Sequence, residues 1–452
     1  MKREDIGGPI RGRYIDDRFE EGIFRLDPRV YSDVELFEME MKYIFERTWI
    51  FLALESQIRN PHDFVTANIG RTPVVVMRDA KGKIGAFINA CRHKGATIAR
   101  FSEGNAKYHV CPYHGWAYDS SGKNVDIKDR KSGCYAPAFD AENHDLLPIA
   151  RLESYKGLIF GSLSPDVPAL GDYLGDMRLF IDLVMDQGEH GMEFVPGRST
   201  YTFRGNWKLQ MDNGTDPYHV TSTHVSMIDI QVRRRSGQGN VDARQNDFSK
   251  VKGVDQGMFI FPHGHALLWV DQPEPHKRPI YPRIEEIKKR VGELHAQWML
   301  KLRNTQFFPN MQISEVNALM LRTFQPLAVG LTEMRSYVLA PIGEAPEYRA
   351  WRLRQFEDFF NASGFATPDD TVLYQECQAG AGVPGMGWLQ GCERGMSIIK
   401  TGADEVARSL GVNPTHSIKS EAHLNPEMAF HSTYREWGRM LEAGIAGAKP
   451  YP

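Results

Sequence analysis

The spacing of apolar residues changes character along the chain. Val34, Phe37, Met41 and Ile44 recur at helical intervals behind a Ser32 and Glu35 capping-box pattern, which predicts a helix over residues 32–48. The period then shortens. β-branched runs at 72–77 and 84–90, parted by charged turn residues at 79–83, predict strands, as do 108–118 and 157–163. Residues 50–165 therefore read as a small all-β unit between helical flanks. Farther on, Ile284, Ile287, Val291, Leu294 and Trp298 return to helical spacing. Segments 318–325 and 333–340 suit an antiparallel sheet, and Leu353, Phe356 and Phe360 mark a helix that must stop before Pro368. Residues 233–250, with Arg233, Arg234 and Arg235, read as a polar surface loop whose charges are solvated. The fold class expected is α+β, with a helical segment at 1–48, an all-β domain at 49–165 and a larger domain at 166–452.

Composition narrows the function classes. The 452 residues are 42% hydrophobic and 25% charged, which suits a globular protein. Lys plus Arg number 54 against 57 Asp plus Glu, a formal net charge of −3, so no basic field exists to hold nucleic acid. The longest apolar runs, such as 266–270, are far too short for a membrane span. Neither nucleic acid nor membrane is expected as a partner. Five cysteines, Cys91, Cys111, Cys134, Cys377 and Cys392, are too few and odd in number for a disulfide scaffold. The start Met1-Lys2-Arg3-Glu4-Asp5 lacks an apolar signal-peptide core, and the expected location is cytoplasmic.

The strongest chemical signal is Cys91-Arg92-His93, seventeen residues, then Cys111-Pro112-Tyr113-His114. Two thiolates and two imidazoles suit a tetrahedral zinc, or an iron–sulfur cluster in which two histidines replace two cysteines on one iron. The order Cys-x-His with Cys-x-x-His departs from usual zinc spacings and matches the Rieske arrangement. Gly115 would let backbone approach such a cluster, and Trp116 would cover it.

A second constellation lies at His219 and His224. Five residues of regular helix turn by about 140°, so either the helix is distorted there or the rings approach a metal from different sides. Two histidines plus a distant carboxylate form the facial triad of non-haem Fe(II) oxygen chemistry. Asp216, three residues before His219, could orient that ring, or cap a helix ahead of Pro217. Spacing does not identify the third ligand. Asp369 and Asp370 after Pro368 read in isolation as helix N-terminal charges.

With both motifs in this order, the chain resembles the large α subunit of Rieske non-haem iron aromatic-ring-hydroxylating dioxygenases, over about residues 30–440. The segments Gly343-Glu344-Ala345-Pro346-Glu347 and 354–364, and the short interval between Asn213 and Asp216, are similar to the benzoate, toluate and anthranilate type. The resemblance implies a Rieske [2Fe-2S] domain inserted in a catalytic domain of helix-grip type, with an antiparallel sheet flanked by helices. It implies that Cys91, His93, Cys111 and His114 hold the cluster and that His219, His224 and Asp370 bind Fe(II). Asp216 matches the acid linking the iron site to a Rieske histidine, His114, of a neighbouring subunit. The implied partners are a reductase passing electrons from NADH, with or without a ferredoxin, an aromatic carboxylate and O2, in an α3 assembly or an α3β3 assembly with a small β subunit. The implied reaction is cis-dihydroxylation. A Rieske monooxygenase such as a salicylate hydroxylase shares every ligand, and a cluster-only electron carrier or a zinc-binding module are distant alternatives. Asp212 and Pro217 depart from the family's usual residues without removing a ligand.

A buried substrate carboxylate needs a charge-assisted partner. Strand alternation puts Arg322 on one face with Met320 and Phe324, where it could serve as that partner or form a structural ion pair. Asn213 is a further candidate for contact with substrate or with the iron ligands.

Overall fold

The structure is a computed structural model describing residues 9–235, 250–251, 253–422 and 424–451. The chain forms two compact units. One comprises the chain up to Ile44 together with Gly171–Pro450; the other is Phe45–Leu170, joined by Tyr451.

The smaller unit is built from three antiparallel sheets. Arg151–Tyr155, Leu158–Ser162 and Ile50–Leu54 make one; Ile84–Ile88, Thr72–Arg78, Asp63–Ile69 and Glu103–Asn105 make a second. The third has Asn124–Asp126, Ala117–Asp119 and Tyr108–Val110. The strand expected over 108–118 is thus two strands, because residues 111–116 leave the ladder as a tight loop. Phe64, Val75, Met77, Trp116 and Tyr118 pack one core, and Cys91 and Cys111 are part of it.

The larger unit centres on a ten-stranded sheet with every pairing antiparallel. Met320–Ala328 and Leu331–Pro341 pair over nearly their whole length, matching the two strands expected there. Leu302–Phe307, Ala266–Val270 and Asp255–Ile260 extend the sheet on the other side of Met311–Ser314. The helical stretch at 284–298 is two helices, Ile284–Val291 and Glu293–Leu300, because Gly292 between them takes φ +86°.

Three expectations are corrected locally. The helix at 32–48 begins at Val34, capped by Asp33, whose carboxylate accepts from the Glu35 and Leu36 amides. Ser32 instead donates to the Ala381 carbonyl. The helix runs to Glu40 and continues as a π-helical turn over Met41–Phe45. Arg233–Arg235, expected in a loop, end the helix Val225–Arg235, and Arg234 pairs with Asp358 at 3.2 Å. The rest of the expected 233–250 loop lies largely outside the described residues.

A buried polar knot explains why the N-terminal segment belongs with the larger unit. Glu40 accepts from Trp207 Nε1 at 2.8 Å and Trp437 Nε1 at 2.7 Å, and it pairs with Lys208, whose side chain is fully buried. Breaking such a pair leaves an uncompensated buried charge, at about 3–5 kcal/mol. The helix Trp207–Asn213 is therefore clamped between the N-terminal segment and the C-terminal helix His431–Ile445. Among the described residues no helix is long and apolar enough to cross a membrane.

Candidate metal centres and substrate cavity

Two loops of equal construction carry the first set of residues. In one, the Cys91 amide donates to the Ala96 carbonyl and the Gly95 amide to the Cys91 carbonyl. In the other, the Cys111 amide donates to Trp116 and the Gly115 amide to Cys111. Gly95 and Gly115 both take φ +75°, the left-handed conformation that closes each loop. Both cysteines are buried, whereas His93 is exposed and His114 half-buried, so thiols point inward and imidazoles outward. The two imidazole centroids lie 4.3 Å apart, and Trp116 stacks on His93 at 5.2 Å and 8°.

This donor set fits a cluster. Burial pushes the Cys91 thiol pKa up, a cost that bound cationic iron would offset by stabilising the thiolate. Desolvation and the neighbouring His93, Lys94 and Lys128 lower the pKa of His114, favouring the neutral imidazole that a metal requires. Among the described residues the buried His114 Nδ1 has no hydrogen-bond partner. Tyr118, which the motif did not single out, accepts from the Arg92 amide at 3.0 Å, leaving its own proton for Cys91 Sγ 3.3 Å away. Hydrogen bonds to cluster sulfurs tune potential.

The second set lies in the larger unit, where helix geometry resolves the five-residue spacing. Trp207–Asn213 ends where Gly214 meets the Gln312 side chain so closely that any Cβ would overlap its amide, and Pro217 prevents immediate resumption. A single helical turn, Val220–Thr223, follows, with His219 at its N-cap and His224 at its C-cap. The rings meet edge to face, centroids 5.3 Å apart. Asp370 comes from the first turn of the helix Thr367–Ala381, so it is both a helix N-terminal charge and the carboxylate facing the histidines. Its Oδ1 lies 3.3 Å from His224 Nε2 and 3.8 Å from His219 Nε2. One potential ligand atom from each residue lies within 4.8 Å of the others, spacings that one ion could close. Asn213 Nδ2 donates to Asp370 Oδ1 at 3.2 Å.

Asp216 orients the His219 ring but does not cap a helix, since the turn Val220–Thr223 has His219 at its N-cap and no side-chain cap. Its Oδ1 accepts the Tyr218 amide in a local turn two residues on, and its Oδ2 lies 3.1 Å from His219 Nδ1. His219 Nδ1 is thereby committed, leaving Nε2 for a metal. Burial alone would lower the His219 pKa, but the hydrogen bond and charge of Asp216, with Asp370, raise it on balance. Asp212 sits behind this segment, accepting from Tyr31 and Tyr434 at 2.7 and 2.9 Å, and burial pushes its pKa up to about 7. Neither tyrosine had any signal in the sequence, since each reaches Asp212 from a chain terminus.

His219, His224 and Asp370 open onto a cavity of about 310 Å³. Phe359, Phe360, Leu268, Val270 and Leu302 give it apolar walls, and Arg322 lies on its lining. Arg322 does not form the structural ion pair considered above: among the described residues no carboxylate pairs with it. Its Nε donates to Gln312 Oε1 at 2.8 Å and its guanidinium lies 5.8 Å from the Phe360 ring centre. Gln312 is held in turn by Gln306, so the arginine is aimed by a buried amide chain rather than neutralised.

A cysteine–histidine double loop in a β unit, with a two-histidine, one-carboxylate pocket in an α+β unit, defines an oxygenase that carries its own electron-transfer centre. Comparison with known proteins is specific. Residues 48–151 match the Rieske [2Fe-2S] domain and residues 194–437 the ring hydroxylating alpha subunit catalytic domain. The chain is 40% identical to the toluate 1,2-dioxygenase subunit alpha of Pseudomonas putida, over 95% of this chain and 94% of that one. It is 38% identical to the 2-halobenzoate 1,2-dioxygenase large subunit of Burkholderia cepacia, with 94% and 90% covered. For the anthranilate 1,2-dioxygenase large subunit of Acinetobacter baylyi the values are 37%, 95% and 92%. The naphthalene 1,2-dioxygenase of a Rhodococcus species bound to indole superposes with a TM-score of 0.77 at 26% identity, covering 93% of this chain and 94% of that one.

The chain belongs to the family of ring-hydroxylating dioxygenase α subunits. It is a terminal oxygenase component whose cofactors are a Rieske [2Fe-2S] cluster and a mononuclear iron, with NADH acting through a separate reductase. Such subunits work with an electron-transfer partner and oligomerise.

Proposed function

We propose that the substrate is an aromatic carboxylate and that the product is its cis-dihydrodiol: the acid, O2, NADH and a proton give the diol acid and NAD⁺. The observation that carries this reading is Arg322, a buried guanidinium with no carboxylate partner among the described residues, in the cavity that His219, His224 and Asp370 open onto. A ring acid supplies the missing charge, and the apolar walls take the ring. The names of the three carboxylate-oxidising relatives support the same class.

In this reading Cys91, His93, Cys111 and His114 hold the cluster, and His219, His224 and Asp370 hold the iron. When bound, these groups supply single electrons and a site for O2. The chain's own residues do the positioning. Asp216 holds the His219 ring, and Asn213 holds the Asp370 carboxylate. Arg322, aimed by Gln312, seats the substrate carboxylate, while Phe359, Phe360 and Leu268 exclude water from the reacting ring edge. Asp216 also joins His219 to His114 of a neighbouring copy, which calls for an α3 assembly, with small β subunits in an α3β3 form.

Product identification with ¹⁸O2 over benzoate, anthranilate, salicylate and 2-halobenzoates tests this. Two labelled atoms in one diol, or in the catechol left when an ortho group and CO2 depart, are expected; a single labelled atom favours monooxygenation. Arg322→Met is expected to raise KM for the acid ~10- to 100-fold, the worth of charge-assisted hydrogen bonds. An unchanged KM removes Arg322 from substrate binding.

A further inference from the structure

The cavity has a second built polar position, away from Arg322. Asn304 lies on the strand Leu302–Phe307 and lines the cavity, as does Leu268, its register partner. Its Oδ1 accepts the Ser314 hydroxyl at 2.6 Å. That bond orients the amide and leaves Nδ2 without a partner among the described residues. An unmet donor in a largely apolar cavity is costly, and a ligand acceptor is rewarded there.

Register gives the separation. Arg322 pairs with Gln312, and Gln312 with Gln306, two residues from Asn304 along the same strand. Two strand steps are ~10 Å and two residues ~7 Å, so the two Cα atoms lie ~12 Å apart, and the side chains leave the same face of the sheet. A guanidinium–carboxylate contact, a benzene ring and a hydrogen bond from the opposite ring atom together span about that length. Gln256 also lines the cavity, but it lies four strands from Arg322, ~19 Å across the sheet before any offset, beyond the reach of a single-ring acid.

We propose that Asn304 is a specificity residue that donates a hydrogen bond to an oxygen substituent on the ring carbon opposite the substrate carboxylate. The preferred substrate is then a para-oxygenated benzoate rather than a purely hydrocarbon one. This rests on the aromatic-acid reading above, with Arg322 holding the carboxylate end.

The test compares 4-methoxybenzoate with 4-ethylbenzoate, which share shape and length and differ by oxygen for methylene. Dissociation constants are measured on the iron-loaded oxygenase without O2, and kcat/KM with its reductase. The native protein is expected to favour the methoxy acid by about tenfold, the worth of one well-made hydrogen bond. Asn304→Leu and the isosteric Asn304→Asp, neither able to donate at that position, should both bring the ratio to about one. Retained visible absorption shows that each variant is folded with its cluster. If both acids bind with a ratio near one in the native protein, the inference is overturned, the amide serving cavity water only, while the aromatic-acid reading stands. A ratio that survives both variants also overturns it. If no benzoate binds or is turned over, the aromatic-acid reading falls and the inference with it.

Discussion

The two regions proposed to hold metal are built to opposite plans. In the smaller unit four donors come from 24 consecutive residues, on two loops closed by the same pair of backbone hydrogen bonds. In the larger unit two histidines flank one helical turn, while the carboxylate comes from a helix about 150 residues later. The first site is a local turn design, so its geometry follows from spacing and two left-handed glycines. The second exists only when the sheet, the Trp207–Asn213 helix and the Thr367–Ala381 helix are packed together. Its precision is supplied from outside, by Glu40, Tyr31 and Tyr434, residues from the two ends of the chain.

That contrast predicts separable losses. The largest effect is expected from removing a donor at either site. Cys111→Ser should reduce iron from about three to about one per chain and bleach the visible absorption, and Asp370→Ala should leave about two irons and the absorption intact. Turnover should vanish in both. Loss of all iron in either variant would show that the two sites do not form independently.

A smaller effect is expected from Asp216→Asn. Both metals should stay, because Asp216 touches a ligand's far nitrogen and not the site's open side. Turnover should fall ~10- to 100-fold, the usual consequence of releasing a metal-bound histidine from its partner, and further if Asp216 also lies on the electron route. Cluster reduction by the reductase, followed spectroscopically, should be unaffected. Unchanged turnover would remove Asp216 from the mechanism.

The smallest effect concerns pH. Asp212 has its pKa pushed up to about 7 by burial, so the folded protein keeps a proton that the unfolded chain releases above about pH 4. Its contribution to stability is full below that value and is lost as pH rises to about 7. Buried His265 and His431, both pushed down to about 3 by desolvation, act oppositely: stability falls as pH drops below about 6.5, where the unfolded chain gains protons. Asp212→Asn removes only the first contribution. Between pH 5 and pH 8 the variant should gain more stability than the parent, by about 2 kcal/mol in urea unfolding. Parallel profiles would show that Asp212 stays ionised.

What could be read without the fold follows the same division. Cys91, His93, Cys111 and His114 announce themselves because their spacing is the loop, and the strand pair beside Arg322 because both segments are short runs suited to antiparallel pairing, one buried on both faces and the other alternating. Sequence pattern alone does not separate Ser32 from Asp33 as the cap, because either polar residue can start a helix, and only Asp33 turns its side chain to the free amides. Asp370 carried no local mark beyond that of any acid in a first helical turn. It needed either the family resemblance or the packing that brings its Oδ1 to 3.3 Å from His224.

By itself, then, the order of residues marked the Cys91, His93, Cys111 and His114 loops, the His219 and His224 pair and most strands and helices, since these depend on neighbours a few positions away. Tertiary structure decided which carboxylate faces the histidines, that Arg322 is aimed by Gln312 and has no counter-charge among the described residues, and that Asn304 lines the same cavity farther along the sheet face. Those facts depend on strand register and helix packing between residues far apart in the chain, which no local spacing encodes.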